Sequence, residues 1–264
     1  MNIANAVVLG IVQGLTEFLP VSSSGHLVLG QRLLGVNEPS MLFDVAVHVG
    51  TLVAVVAVFR NDIWAMLQGL WDRGTAGRTG RRLIWLVVVG SVPTAIIGLL
   101  FKDRFEAMFS SCLAVGVALL ITGTLLAVAG RAPAGDRDAE RTGAGRALLI
   151  GAAQGLAITP GLSRSGSTIS VALLLGVDRK LAAHYSFLLS IPAILGALLL
   201  QVRDLEAGQA VDWAPLLIGG AVAGVTGWAA LRVLLRVVQA GRLHWFAPYC
   251  WVLGLAAVAW SIWG

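Results

Sequence analysis

Residues 10–26 read GIVQGLTEFLPVSSSGH, and residues 151–166 read GAAQGLAITPGLSRSG. Each stretch lies in an apolar region longer than one membrane span, residues 1–34 and 146–177. Each region is broken at its middle, by Pro20 to Gly25 in the first and Pro160 to Gly166 in the second. Proline has no N–H to donate, and Ser and Gly favour turns, so each region reads as two short helices meeting at a polar turn. The two align without gaps at an offset of 141 residues: Gly10, Gln13, Gly14, Leu15, Ser22, Ser24 and Gly25 recur as Gly151, Gln154, Gly155, Leu156, Ser163, Ser165 and Gly166. Chance likeness between apolar helices falls on Leu and Ala. This one falls on Gln, Ser and Gly, and marks a duplicated unit.

The remaining sequence sets these turns in a membrane. Of 264 residues, 57% are hydrophobic and 12% charged, against about 25% charged in a soluble domain. Mean hydropathy is +0.83. Six further apolar runs, at about 41–59, 83–101, 109–130, 182–201, 213–231 and 247–263, are long enough to cross a hydrocarbon core of ~30 Å as helix. They lack the alternation of a barrel strand. The expected fold is an all-α polytopic membrane protein with six transmembrane helices and two re-entrant helical hairpins. Irregular backbone at membrane depth is tolerated only where protein or a water-filled cavity surrounds it. One domain is expected over 1–264, with repeat one at about 1–130, a linker at about 131–145 and repeat two at about 146–264. One hairpin and three crossings per unit is an odd number of crossings, so the second copy is expected to be inverted, with the broken helices meeting near the midplane.

A net charge of +5 first suggests a nucleic-acid partner, but the placement of the basic residues argues for topology instead. Fourteen of the 19 lie at 60–82, 131–146, 178–181 and 232–246, Arg73 among them; Arg32, Lys102, Arg104 and Arg203 fall on the opposite side, and Arg164 stands alone inside the second hairpin. The positive-inside rule assigns the first side to the cytoplasm. Both termini and the mouth of the first hairpin then face the periplasmic or outer side of the inner membrane. No basic leader precedes Arg32, so insertion is expected to rely on the spans. Cys112 and Cys250 have no paired spacing and indicate neither a disulfide framework nor a metal site. Most Trp residues sit near span ends, as interfacial anchors do. Gly220 and Gly224 form a GxxxG pair suited to close helix contact, inside the chain or in a homodimer.

Ionisable residues inside a membrane are costly and mark function. Gln13 and Glu17 share a helix face and are followed by Ser22, Ser23, Ser24 and His26. Arg164 sits between Ser163 and Ser165 at the head of a helix, with Thr168 one turn on. A helix N-terminus and a guanidinium fork together form an anion site; the alternative is that Arg164 is a structural partner of Glu17. Glu17, Ser23 and His26 opposite Arg164 supply an acid, a nucleophile, a base and an electrostatic clamp, the parts that phosphoryl transfer needs. Ser22, Ser24, Gly25, Ser163, Ser165, Gly166 and Thr168 are candidates to hold substrate. Glu17, with Gln13 as a neutral helper, is the candidate ligand of a divalent cation. Asp44 and His48, four residues apart, are supporting candidates; His184 and His244 read as structural or surface residues. A site reached from the lipid suits a lipid phosphate.

The string from Gln13 to His26, together with Pro160 to Thr168, resembles the two signature motifs of the bacitracin-resistance type of undecaprenyl-diphosphate phosphatase. The likeness extends over nearly the whole chain, including Phe43-Asp44 and the segment Phe187 to Pro192. The resemblance implies hydrolysis of undecaprenyl diphosphate to the monophosphate, with a divalent cation, Mg2+ or Ca2+, at a site open to the outer face. It implies Glu17 as the metal-linked acid, Ser23 as the nucleophile, His26 as base or alternative nucleophile, and Arg164 as the diphosphate clamp. Direct attack by water uses the same residues. Many members carry a second Glu where this chain has Gln13, which removes one negative charge from the cation site. A second family of lipid phosphatases shares Ser-Gly-His and Ser-Arg pairs, but it requires an Arg-Pro pair that none of the eight prolines provides. The alternative function is a flippase or transporter of polyprenyl phosphate, since inverted repeats with broken helices are a transporter plan.

Overall fold

The computed structural model describes residues 1–36, 41–72, 74–109, 111–203 and 212–263, without the side chains of 75, 76, 202 and 203. Arg73 therefore lies outside the described residues. The described chain is built of helices: α1 (Ile3–Phe18), α2 (Ser23–Leu33), α3 (Met41–Val58), α4 (Arg60–Gln68), α5 (Thr75–Leu100), α6 (Lys102–Met108), α7 (Cys112–Ala129), α8 (Ala144–Leu156), α9 (Arg164–Leu174), α10 (Arg179–Arg203), α11 (Trp213–Gln239) and α12 (Ala247–Trp263). Six segments are long and apolar enough to cross a membrane, within α3, α5, α7, α10 and α11 and over Leu243–Trp263. They coincide with the six expected runs. The chain is an all-α, multi-pass membrane protein.

The helices outrun the apolar windows that announced them. α5 begins at Thr75 rather than near 83, and α11 continues to Gln239 rather than stopping near 231. Backbone hydrogen bonding does not end where hydropathy does, and long basic side chains let a helix emerge while their heads stay wet. Arg82 lies over the Trp85 ring at 4.3 Å and Arg232 over Trp228 at 4.0 Å, pairs that mark these emerging ends. The stretch 60–82 also carries α4, and 102–108 forms α6.

Both interrupted regions are helical pairs, α1–α2 and α8–α9, joined by the turns 19–22 and 157–163. Each pair rests on a long helix of the other half through the same device. Gly10 of α1 lies on the Gly219 carbonyl of α11, and Thr226 of α11 donates to the Gly10 carbonyl at 3.5 Å. Gly151 of α8 lies on the Gly90 backbone of α5, and Thr94 of α5 donates to the Gly151 carbonyl at 2.8 Å. Without a Cβ at the glycine the backbones can touch, which is how helices associate where apolar burial cannot drive them. Gly220 and Gly224 close on Ala46 and Gly50 of α3 in the same way. The GxxxG face is thus used inside the chain.

The exterior is apolar, and a set of polar side chains lies buried among an otherwise apolar interior. Gln13, Glu17, Ser163, Ser165, Thr168, Ser170 and Ser190 are buried, while Leu99, Leu199, Leu217, Val225 and Val252 are exposed. An apolar exterior of this extent needs lipid around it, and the polar interior needs internal hydrogen-bond partners. Those partners converge on the two turns.

Candidate active site

The first turn places Ser22 at φ +70°, an unusual conformation for a residue with a Cβ. The reversal aims its hydroxyl and its carbonyl at different partners. The Ser22 hydroxyl accepts the Gly161 N–H of the second turn at 3.1 Å, and its carbonyl accepts the His26 Nδ1–H at 2.8 Å. Ser22 also lies 3.3 Å, oxygen to oxygen, from Ser24. The second turn repeats this with Ser163 and Ser165, again 3.3 Å apart. There Ser163 caps α9 by accepting the Gly166 N–H at 3.1 Å, and Ser165 donates to the Phe18 carbonyl at 2.8 Å. The two hairpins are therefore stitched together twice, both hydrogen bonds being donated by the second to the first.

Between them lies Glu17, whose side chain is 6% exposed. Its Oε1 takes Arg164 Nη2 at 2.5 Å. Its Oε2 accepts the Ser23 hydroxyl at 2.6 Å and the Gln13 amide at 3.1 Å. Four of the residues singled out in the sequence thus form one buried unit, drawn from both halves. Ser163 caps α9, and the Arg164 and Ser165 N–H groups at its start have no intrahelical acceptor. Two polar atoms of the unit remain buried without a partner, Arg164 Nη1 and Gln13 Oε1. A buried donor and a buried acceptor left open are costly in a resting protein. They are suited respectively to a phosphate oxygen and to a cation or water.

A divalent cation fits these residues in one form. Among the described residues no group of three or more His, Cys, Asp and Glu side chains could cage an ion. Glu17 and Gln13 Oε1 would supply the few oxygen ligands that Mg2+ takes when substrate phosphates complete the shell.

His26 stands apart from the Glu17 unit. Both its ring nitrogens are engaged, Nδ1 with the Ser22 carbonyl and Nε2 with the Tyr249 hydroxyl at 2.6 Å. Asp44 lies against the first hairpin, accepting Gln31 Nε2 at 3.0 Å, and His48 bonds the Asp44 carbonyl rather than its carboxylate. Thr168 donates to the Arg164 carbonyl at 2.8 Å and meets Ser186 at 2.5 Å, behind the guanidinium. A Cβ at Gly166 would press on Pro20 of the first turn and on Ser163, whereas one at Gly25 would make only ordinary contact with Val115.

Three polar contacts had no sequence signal. Thr122 of α7 accepts the Ser163 N–H at 3.1 Å and donates to the Gly161 carbonyl at 3.2 Å. Ser186 backs Thr168, and Tyr249 meets His26. Only the rarity of tyrosine, two in the chain, set Tyr249 apart from ordinary span residues.

A family model described as bacitracin resistance protein BacA matches residues 6–256. Proteins named undecaprenyl-diphosphatase are similar over nearly their whole length. That of Desulfosudis oleivorans is 51% identical over 266 residues, covering 96% of this chain and 97% of the relative. That of Carboxydothermus hydrogenoformans is 46% identical, covering 97% and 96%. That of Methanobrevibacter smithii is 40% identical, covering 99% of each. With both interrupted hairpins inside the matched region and such relatives along the full chain, the protein belongs to the bacitracin resistance protein BacA family.

Proposed function

We infer that the protein hydrolyses undecaprenyl diphosphate to undecaprenyl phosphate and inorganic phosphate, recycling the lipid carrier of cell-wall synthesis. The observation that carries this reading is the Ser23 hydroxyl seated on the buried Glu17 carboxylate, itself paired with Arg164, in a chain whose relatives are named for this activity. Arg164 is divided between two tasks: Nη2 holds Glu17, and Nη1, unpartnered, is turned to phosphate oxygens. Glu17 accepts the Ser23 proton as Oγ bonds to the terminal phosphorus and the bond to the bridging oxygen breaks. Water then releases the phosphate from Ser23. When bound, a divalent cation such as Mg2+ or Ca2+ supplies charge neutralisation of the diphosphate, with Glu17 and Gln13 as its holders. Ser22, Ser24, Ser163 and Ser165 shape the cradle, and His48, within electrostatic reach of Glu17, supports it. A transporter of polyprenyl phosphate needs the anion clamp but has no use for a hydroxyl held on a carboxylate.

The matching Gly–Thr contacts of α1 on α11 and of α8 on α5 support an inverted repeat whose hairpins enter from opposite faces. The pairs Arg82–Trp85, Arg232–Trp228 and Arg242–Trp245 support a cytoplasmic interface on the basic side, with both termini and the site mouth outside. Purified protein in detergent is expected to release phosphate from undecaprenyl diphosphate with Mg2+ or Ca2+, to stop on chelation and to resume when the ion is restored. No release with the cation present contradicts the reading.

A further inference from the structure

His26 and Tyr249 lie 223 residues apart and join α2 to α12 at the edge of the site. A carbonyl oxygen only accepts, so the ring nitrogen bonded to Ser22 is Nδ1–H. In the neutral imidazole Nε2 is then the acceptor, and the Tyr249 hydroxyl donates to it at 2.6 Å. The rings are nearly parallel, 14° between planes. The adjacent Cys250 thiol bonds the Pro20 carbonyl at 3.4 Å, so two successive residues of α12 grip the first turn. His26 is thus held from both ends, with its lone pair covered, and takes no part in the contact between Ser23 and Glu17.

We propose that Tyr249 is a positioning residue of the reaction, acting through His26. It fixes the imidazole plane and tautomer, so that His26 is held in one geometry at the edge of the site until Nε2 is released to the phosphate or the incoming water. The hydroxyl suits this because it works in both protonation states. It donates to neutral Nε2, and it accepts from Nε2–H once the ring has taken a proton. Phenylalanine preserves the ring but does neither. This proposal rests on the hydrolase reading for its kinetic part alone.

The test compares wild type with Tyr249→Phe in two measurements. In phosphate release from undecaprenyl diphosphate, kcat is expected to fall roughly five- to tenfold, the worth of one hydrogen bond, with KM nearly unchanged. In diethylpyrocarbonate labelling located by mass spectrometry, His26 of the variant is expected to react severalfold faster, because Nε2 has lost its cover, while His244 reacts at the same rate. A kcat within twofold of wild type, or unchanged labelling of His26, overturns the proposal. If wild type releases no phosphate the hydrolase reading fails, and the labelling still decides whether Tyr249 holds His26.

Discussion

Ser23 and Arg164 occupy matching places in the two aligned hairpins, and Glu17 matches Ile158. The same helix start thus carries a serine in one half and an arginine in the other, and both bond one carboxylate, at 2.6 and 2.5 Å. Arg164→Lys is expected to lower phosphate release at least tenfold, since a point charge cannot hold Glu17 and a phosphate oxygen in one planar fork. Arg164→Ala leaves Glu17 buried and unpaired, which costs about 3–5 kcal/mol and is measurable as a lowered unfolding temperature in detergent. Glu17, Ser23, His26 and Arg164 were legible because a charge or a serine cluster inside an apolar run has to be accounted for. Thr122 and Tyr249 were not: a single hydroxyl in a span carries no such cost, and their partners lie 41 and 223 residues away.

At the scale of elements, glycine contacts decide which helices meet. A Cβ added at Gly50 of α3 runs into the Gly220 backbone of α11, whereas one at Gly196 of α10 meets nothing within 4 Å. Gly50→Ala is expected to destabilise the protein by about 1–3 kcal/mol through forced separation of the helices. Gly196→Ala is expected to stabilise it by up to ~1 kcal/mol through helix propensity. Thermal unfolding of the two variants in one detergent checks the opposite signs. Both interruptions and all six spans could be read from hydropathy and Pro-Ser-Gly clusters. The helix ends could not, because α5 and α11 continue through residues that hydropathy assigns to water. The pairing of α1 with α11 and of α8 with α5 was not readable either, since it depends on which glycines find each other across the fold.

At the scale of the molecule, an apolar shell surrounds a polar seam, and Arg164 is set within that seam, bonded to the buried Glu17 carboxylate. By the positive-inside rule the proposed orientation puts the basic side in the cytoplasm. A reporter that is active only outside the cytoplasm, fused after Trp263, is therefore expected to be active; activity of a cytoplasm-dependent reporter there would reverse the orientation. The central claim is that residues from both halves act as one hydrolytic unit across the seam. Phosphate release from undecaprenyl diphosphate by Glu17→Ala, Arg164→Ala and the double variant, each normalised to folded protein, tests it most directly. One unit predicts that the double variant is no slower than the slower single variant. Losses that multiply in the double variant, or a single variant with wild-type activity, would contradict it.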